Sequence, residues 1–564
     1  MKLKSLNKTC RGSQPADQQL SEEDVVSAPG MQKEKFMELQ NILPALLPDF
    51  LTAQRWFGAK ARAIRGTGVP DVIPFGASES DAFVILARVE YDAGPQDVYV
   101  LPLVAVSGSD QLFKDSIHTL RLKGQSGASL VLGDALCDEK FLLALHSAID
   151  GRRVFSGLNG EVRAEQASNY RNFSPAAAGS LKPVPMKVEQ SNSSIVYGNR
   201  LVLKMFRHLE QGINPDLEIG FFLTEKVRFP HMPAVVGWLE YAGNDGRQST
   251  LGILQQFVPN EGDAWAFTLK SLSHFWRQAD QHLQELSSLK LPSLYSVKAT
   301  DDAIPDVARE LCGPYLDSVA LLGQRTAQLH LALASDSLNP AFAPEPYTPE
   351  FQKQFAQSLA EKTKNTLQLL RSRVEKLPNS LRLQADQVMS AQDTILQTFR
   401  TSLDHPISAV RTRIHGDYHL GQVLYTGSDF VIIDFEGEPA RPMSERRRKL
   451  SPLQDVAGML RSFHYAAFSA EPTTAAVADV NSENARQRSS AAEAWRAWVT
   501  ARFLRAYLKE AGNAPFIPNS EDELRNLLRI HLLEKALYEL NYELNNRPDW
   551  VRIPLAGVVS LLKE

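Results

Sequence analysis

Three side chains in the C-terminal half of the chain have the types and the spacing that a group-transfer reaction requires. Asp417 follows His415 and Gly416, Gln422 comes five residues later, and Asp434 ends an apolar run that is typical of a strand. Transfer of a phosphoryl group needs a carboxylate beside the attacking hydroxyl and oxygen ligands for Mg²⁺ between the phosphates. We therefore interpret Asp417 as a catalytic base and Gln422 and Asp434 as Mg²⁺ ligands.

The segment between Gln422 and Asp434 predicts a β-hairpin, with strands at 423–425 and 430–433, which would place the amide and the carboxylate side by side. Protein kinases usually have Asn where this chain has Gln422. One alternative is structural, a turn followed by a buried strand. Another is a metallohydrolase with His415, Asp417 and His419 as ligands, but such a site would need further His or Cys ligands downstream.

Two side chains earlier in the chain have the types that hold nucleotide phosphates. Lys204 lies within an apolar strand predicted at 201–206, where a lysine is costly to bury unless it is paired. Glu218 lies one turn into a helix that Asn214 and Pro215 are expected to start. We predict that Lys204 contacts phosphate and that Glu218 pairs with it. The alternative is an edge-strand lysine that points to solvent.

Further nucleotide contacts are predicted at the ends of neighbouring strands. A loop before the lysine strand contains Ser191, Asn192 and Ser193, and it lacks the Gly-x-Gly of protein kinases. Backbone amides and hydroxyls in such a turn can still bind phosphates, which favours a small-molecule kinase. Gln256 and Val258 end the last strand before the helical region, where backbone groups could bind adenine. An ordinary strand end is the alternative there.

A helix predicted at 531–546 has two different faces. One narrow stripe is apolar and would face the core: Leu533, Leu537, Leu540 and Leu544. The opposite stripe carries Lys535, Tyr538, Glu539 and Tyr542. Aromatic rings with charged groups suit a sugar, which stacks on rings and hydrogen-bonds to charges. Periodicity alone favours a plain solvated face with a Lys/Glu pair.

The order of predicted elements is strand, loop, strand, turn, strand, helix, two strands and then a mostly helical region. This order predicts an α+β, bilobal protein-kinase-like fold. We expect a disordered arm or linker at 1–30, an N-terminal cap at 31–130, a β-rich nucleotide-binding unit at 131–258 and a helical catalytic lobe at 259–564.

Composition and charge argue against several classes of protein. The 564 residues carry a net charge of −4, which argues against a nucleic-acid partner. The three cysteines have no paired spacing, so the sequence predicts neither disulfides nor a zinc site. No apolar run is long enough to span a membrane, and the N-terminus lacks the apolar core of a secretory signal. We expect a cytoplasmic protein.

Five segments carry a resemblance to one enzyme family, the bacterial maltokinases. They are RWFGAK at 55–60, HGDYHLGQVL at 415–424, IIDFEGEP at 432–439, SPLQDVAGM at 451–459 and NRPDW at 546–550. The HGD motif and the second aspartate are shared with aminoglycoside and choline kinases, whereas the EGEP, SPLQDVAGM and RWFGAK segments resemble maltokinases more specifically.

The resemblance implies an ATP- and Mg²⁺-dependent transfer of the γ-phosphoryl group to the anomeric hydroxyl of maltose, giving maltose 1-phosphate for α-glucan synthesis. It implies maltose contacts for five residues: His415, Lys535, Tyr538, Glu539 and Tyr542. It also implies a possible association with trehalose synthase. The rivals are a kinase for another small alcohol or an aminoglycoside, and a non-catalytic regulator that binds sugar or nucleotide.

Overall fold

The structure is a computed structural model. It describes residues 33–75, 82–107, 119–123, 129–173, 181–186, 192–293, 304–469 and 483–563. The predicted arm at 1–30 and the predicted phosphate contact Ser191 lie outside these residues, and so do residues 187–190, whose alternation also predicts a strand. The chain divides into two compact units, Met1–Pro259 and Asn260–Glu564.

The first unit begins with short helices that cover one face of an antiparallel sheet. The helices are Lys33–Ile42 and Leu47–Ala53. The sheet has the order β1-β2-β3-β5-β4, with β1 Ile64–Pro74, β2 Ala82–Tyr91, β3 Asp97–Ser107, β4 Leu120–Lys123 and β5 Ser129–Asp134. Leucines of the helices share a buried core with alternate residues of β2 and β3, as expected for strands whose side chains alternate between two faces.

A second antiparallel sheet of the same unit has the order β6-β7-β11-β12-β10-β9-β8. Its strands are β6 Val154–Ser156, β7 Gly160–Gln166, β8 Pro183–Pro185, β9 Asn192–Tyr197, β10 Leu201–Phe206, β11 Val235–Gly243 and β12 Gln248–Gln256. Helix Glu139–Asp150 packs into a core shared with the first sheet. A short helix, Tyr170–Phe173, follows β7.

Local predictions for this unit are mostly confirmed. The turn between β9 and β10 uses Gly198 at φ 56° and Asn199 at φ 52°, which is the backbone that a two-residue hairpin turn requires. Asn214 accepts a hydrogen bond from the amide of Asp216 and starts helix Pro215–Phe221. That helix continues as a π-turn, Phe222–Val227.

The helical pattern of residues 36–51 predicts one helix, but this helix is broken in the structure. It ends at Ile42, a 3₁₀ turn spans Leu43–Ala45, and a new helix starts at Leu47. Pro44 and Pro48 explain the interruption, because each removes a backbone donor and restricts the residue before it.

The second unit is mainly helical. Its helices are Ala264–Ala279, Leu283–Ser288, Asp306–Cys312, Tyr315–Leu333, Pro349–Arg373, Asn379–Ser390, Gln392–Leu403, Met443–Arg446, Leu453–Ser469, Glu483–Ala511, Glu521–Asn546 and Arg552–Lys563. Helices Tyr315–Leu333 and Glu483–Ala511 pack very closely: a β-carbon added at Gly323 would lie 2.5 Å from the carbonyl oxygen of Phe503.

Two short strand pairs interrupt these helices. β13, Glu345–Pro346, pairs with β14, Val410–Arg411. The predicted hairpin is confirmed as β15, Val423–Tyr425, and β16, Phe430–Ile432. Within the described part of the chain, no helix has both the length and the apolar character needed to cross a membrane.

Candidate active site

A buried aspartate on helix Leu453–Ser469 holds the segment that carries Asp417. Asp455 accepts a hydrogen bond from the amide of His415 (2.7 Å) and another from the amide of Gly416 (2.9 Å). His330 lies 3.1 Å from the same carboxylate through Nε2, and its Nδ1 lies 2.9 Å from the Tyr507 hydroxyl. Because a buried carboxylate that accepts several hydrogen bonds has few alternative positions, this network fixes the backbone just before Asp417.

His415 also organises this segment rather than facing a pocket. Its ring is 1% exposed, and Nε2 lies 2.9 Å from the carbonyl oxygen of Ile433, which can only accept. Nε2 therefore carries the proton, and Nδ1 accepts from the amide of Asp417 at 3.4 Å. Both ring nitrogens of His415 are thus engaged within the protein, which disfavours this histidine as a metal ligand of the metallohydrolase alternative. The maltose contact that the resemblance implies for His415 stays a prediction.

The hairpin brings Gln422 and Asp434 together, as predicted. The Gln422 amide donates to the Asp434 carboxylate across 2.8 Å. Asp434 has φ 67°, a left-handed backbone that is uncommon outside glycine and often marks a functional position. An amide oxygen and a carboxylate are the hard ligands that Mg²⁺ prefers, so this pair fits the predicted metal site.

Asp417 lines a pocket in which its carboxylate has a lysine and a histidine as neighbours. Lys535 Nζ lies 3.3 Å from Asp417 Oδ1, and His419 Nε2 lies 3.9 Å from Oδ2. Burial raises the pKa of Asp417, but the charge of Lys535, the largest opposing influence, outweighs burial and holds the pKa below its usual range. Asp417 is therefore a carboxylate at neutral pH.

The rest of the pocket combines both signs of charge. Burial and the Asp417 charge raise the pKa of Glu438, which accepts a hydrogen bond from the Tyr538 hydroxyl. Burial lowers the pKa of Lys535, but Asp417 and Glu438 reverse this effect and raise it, so the ammonium keeps its proton. The pocket lining also includes Arg441, Gln454, His531 and Glu534.

Only two of the predicted sugar contacts on helix Glu521–Asn546 line this pocket. They are Lys535 and Tyr538. Glu539 instead forms an ion pair with Arg461, whose Nη2 lies 2.7 Å from its Oε2. Tyr542 is 43% exposed, and the Arg547 guanidinium lies 5.3 Å from its ring centroid. The predicted polar stripe is therefore divided: Lys535 and Tyr538 line the pocket, whereas Glu539 and Tyr542 contact arginines outside it.

In the first unit, Lys204 lies on β10 and has a carboxylate partner. Its Nζ is 3.0 Å from Asp216 Oδ2, and Asp216 is 1% exposed. Glu218, the partner predicted from the sequence, is also buried, half a turn further along the same helix. Sequence reasoning missed Asp216, although its place directly after the Asn214-Pro215 cap put it in the first turn, where a carboxylate is favoured.

The remaining predicted nucleotide contacts lie in or beside strands. Asn192 and Ser193 belong to β9, where they pair with Phe206 and Met205, and not to a loop as predicted. The Ser193 hydroxyl accepts a hydrogen bond from Arg207 at 2.9 Å. Gln256 is the last residue of β12, opposite Leu201, and Val258 follows that strand.

Sequence reasoning missed most of the pocket wall. Glu438 and Asp455 lie within segments that carry the family resemblance, EGEP and SPLQDVAGM, so their positions were flagged without a role. Glu534 precedes Lys535 on the same helix and was not part of the polar stripe that the periodicity predicted. Arg441 had no local signal.

Sequence comparisons with known proteins match one domain family and two relatives named as kinases. Residues 50–138 match the family model of the maltokinase N-terminal cap domain. The chain is 24% identical to a glucosamine kinase of Mycolicibacterium smegmatis (strain ATCC 700084 / mc(2)155) over 419 residues, which cover 73% of this chain and 87% of that protein. It is 25% identical to a glucosamine kinase of Streptacidiphilus jiangxiensis over 385 residues, 67% of this chain and 73% of the relative.

Solved structures show the same fold. A glucosamine kinase in complex with glucosamine, ADP and inorganic phosphate superposes with a TM-score of 0.55 at 18% identity, over 91% of this chain and 98% of that one. Another crystal form of a glucosamine kinase gives a TM-score of 0.57, over 92% and 99%. These findings support a sugar kinase, and residues 50–138 are a maltokinase N-terminal cap domain carried by a chain with the protein-kinase-like fold.

Proposed function

We propose that this protein is an ATP- and Mg²⁺-dependent maltokinase that transfers the γ-phosphoryl group of ATP to the anomeric hydroxyl of maltose. The observation that carries the proposal is the position of Asp417 at the wall of a pocket, beside Lys535 and Tyr538, with the two residues before it held by Asp455. The maltokinase cap domain at 50–138 supports the same class of substrate.

In this proposal Asp417 accepts a hydrogen bond from the sugar hydroxyl and takes its proton as the oxygen attacks the γ-phosphorus. The bond from phosphorus to the β,γ-bridging oxygen breaks, ADP leaves, and a new phosphorus–oxygen bond forms to the sugar. Lys535 keeps Asp417 ionised and donates to a neighbouring sugar oxygen. Tyr538 offers its ring as a stacking surface.

Gln422 and Asp434 would hold Mg²⁺, which neutralises charge on the phosphates during transfer. Lys204 would contact phosphate, with Asp216 and Glu218 holding the helix beside it. Gln256 and Val258 would offer backbone groups to adenine, and Asn192 and Ser193 would border the phosphates. An association with trehalose synthase would supply maltose next to this enzyme, and co-purification of the two proteins tests it.

A second candidate is a glucosamine kinase, which the names of the similar proteins favour. Glucosamine is cationic and would pair with Glu438 or Glu534, both of which line the pocket. Against it, Lys535 and Arg441 place two cations at the same wall, and a bound ammonium would have to displace or oppose them.

The test is ADP release by purified protein with ATP and Mg²⁺, across maltose, glucose, glucosamine, trehalose, maltotriose and kanamycin. We expect turnover with maltose and a product phosphorylated at C1. A higher kcat/KM with glucosamine than with maltose would replace the substrate and keep the chemistry. ATP binding without transfer to any acceptor would favour a regulator instead.

A further inference from the structure

The segment between the hairpin and helix Leu453–Ser469 is tied together by one arginine. Arg446 ends the short helix Met443–Arg446. Its Nε donates to the carbonyl oxygen of Arg441 across 3.0 Å, and its Nη1 donates to the carbonyl oxygen of Glu436 across 3.2 Å. A single side chain therefore holds both ends of the stretch 436–441, which we call the 436–441 loop.

The backbone of this loop needs support from outside. One hydrogen bond closes a turn within it, from the amide of Arg441 to the carbonyl oxygen of Glu438 at 3.0 Å. Gly437 has φ 73°, in the region that favours glycine, and Asp434, just before the loop, has φ 67°. Such conformations persist where surrounding contacts fix them, and Arg446 supplies two of those contacts.

The loop forms part of the site at Asp417. Glu438 and Arg441 line the pocket there. The loop also lies against the catalytic segment, because a β-carbon added at Gly416 would be 3.3 Å from the Cα of Gly437. Gly416 directly precedes Asp417, so a shift of the loop moves one wall of the pocket relative to this carboxylate.

The stem of Arg446 contacts the same glycine. A β-carbon added at Gly437 would lie 3.5 Å from both Cβ and Cγ of Arg446 and 3.7 Å from its Cδ. Burial lowers the pKa of Arg446, as expected for a guanidinium that is partly removed from water. Hydrogen bonds to the two carbonyls offset that desolvation. A lysine has no planar fork, and its single nitrogen does not reproduce this geometry.

We propose that Arg446 is a positioning residue that holds the 436–441 loop against Gly416 and thereby sets the acceptor side of the pocket relative to Asp417. The inference rests on the proposed function, because this wall matters for catalysis only when a sugar hydroxyl must reach Asp417. Arg446 lies outside the lining of the pocket. Its loss should therefore act through the loop, on the sugar more than on ATP.

The test separates the guanidinium from the stem. Arg446→Met keeps an unbranched apolar stem against Gly437 and removes the two donors, whereas Arg446→Lys keeps the charge. Arg448→Met is the matched control, an exposed arginine of the same basic run. We expect Arg446→Met to lower kcat/KM for the best sugar acceptor by about tenfold or more, the scale of a small misplacement near reacting groups. Arg446→Lys should show a smaller loss, with ATP affinity near that of the wild type in every variant.

Hydrogen–deuterium exchange reports on the loop without turnover. Peptides across 436–446 should exchange faster in Arg446→Met than in the wild type, because local opening becomes easier when these contacts are lost. Helix Tyr315–Leu333 should keep the exchange of the wild type, which shows that the rest of the unit is intact. Arg448→Met should match the wild type in both regions.

Unchanged exchange of the loop, or faster exchange with unchanged kcat/KM for the sugar, would overturn the role of Arg446. An equal loss in Arg448→Met would assign the effect to the charge of the basic run and overturn it as well. A wild type that phosphorylates no sugar would reject the proposed function alone. Calorimetric titration with the same sugars then decides the inference: weaker sugar binding in Arg446→Met keeps it, and equal or absent binding rejects it.

Discussion

Asp417 is the residue on which the proposed chemistry depends. Its carboxylate is ionised, lines the pocket and follows two backbone amides that Asp455 holds. An amide in its place has nearly the same shape but cannot take a proton. The structural support of the segment comes from Asp455, so it would survive the substitution.

Asp417→Asn is expected to lower kcat by at least about 10²-fold, the usual scale for loss of a positioned base, while ATP affinity stays near that of the wild type. Steady-state assays of ADP release measure kcat, and titration of the same preparation with ATP measures the affinity. Retained turnover would show that another group activates the hydroxyl.

Lys535 sets the ionisation of Asp417. Burial alone raises the pKa of this carboxyl, and Lys535 is the largest of the opposing influences. Lys535→Met removes the cation that opposes the effect of burial, so the pKa of Asp417 rises. In mild acid a larger fraction of the variant then has Asp417 protonated. The acidic limb of the pH profile of kcat/KM should therefore move to higher pH.

The control for this variant is Lys364→Met, because Lys364 is an exposed lysine of helix Pro349–Arg373. It should leave the profile unchanged. An acidic limb at the same pH in Lys535→Met and wild type would mean that another group sets it.

Among the elements, helix Leu453–Ser469 positions the catalytic segment by close contact as well as by hydrogen bonds. A β-carbon added at Gly458 would lie 2.5 Å from the carbonyl oxygen of Tyr418, a backbone atom that cannot move alone. The glycine lies in the SPLQDVAGM segment, three residues after Asp455. One face of this helix therefore positions the backbone on both sides of Asp417, through the hydrogen bonds of Asp455 and the close contact at Gly458.

Gly458→Ala is expected to push that segment away from the helix. Overpacking of this kind typically costs about 1–3 kcal/mol, and kcat should fall more than the affinity for ATP. Chemical denaturation and steady-state kinetics test the two effects. Gly58→Ala is the control, since nothing lies within 4 Å of its added β-carbon. An unchanged kcat in Gly458→Ala would show that the backbone at Tyr418 can shift without affecting catalysis.

At the scale of the whole molecule, each unit buries a histidine in its neutral form. Burial lowers the pKa of His146 in the first unit. In the second unit, burial together with Arg461 and Arg496 lowers the pKa of His464 well below its usual value. Unfolding exposes both rings to water, where a histidine takes up a proton near pH 6.5.

Stability should therefore fall with acidity. Below about pH 6.5 the unfolded chain binds more protons than the folded one, so the free energy of unfolding decreases by up to about 1.4 kcal/mol per pH unit for each such histidine. Urea unfolding at pH 7 and pH 5 measures the difference. His464→Gln should reduce it, whereas His274→Gln, at an exposed site, should not. A pH difference that persists unchanged in His464→Gln would assign it to other groups.

Much of the fold follows from local sequence. The Gly198-Asn199 turn, the Asn214-Pro215 cap and the apolar stripe of helix Glu521–Asn546 are short-range signals, and all three appear in the structure. The hairpin between Gln422 and Asp434 is equally local, so the juxtaposition of these two side chains was predictable. The spacing of HGD and IIDF was enough to indicate phosphoryl transfer.

Tertiary packing decided the environment of each site residue. Asp455 accepts a hydrogen bond from the amide of His415, 40 residues earlier in the chain. Arg461 forms an ion pair with Glu539, 78 residues later. Such contacts depend on how helices dock, which periodicity within one helix does not encode. The sequence by itself determined the fold class and indicated the candidate residues of the proposed reaction. Only the packed helices decided which of the polar side chains share the pocket with Asp417, because burial and ion pairing arise between segments distant in the chain.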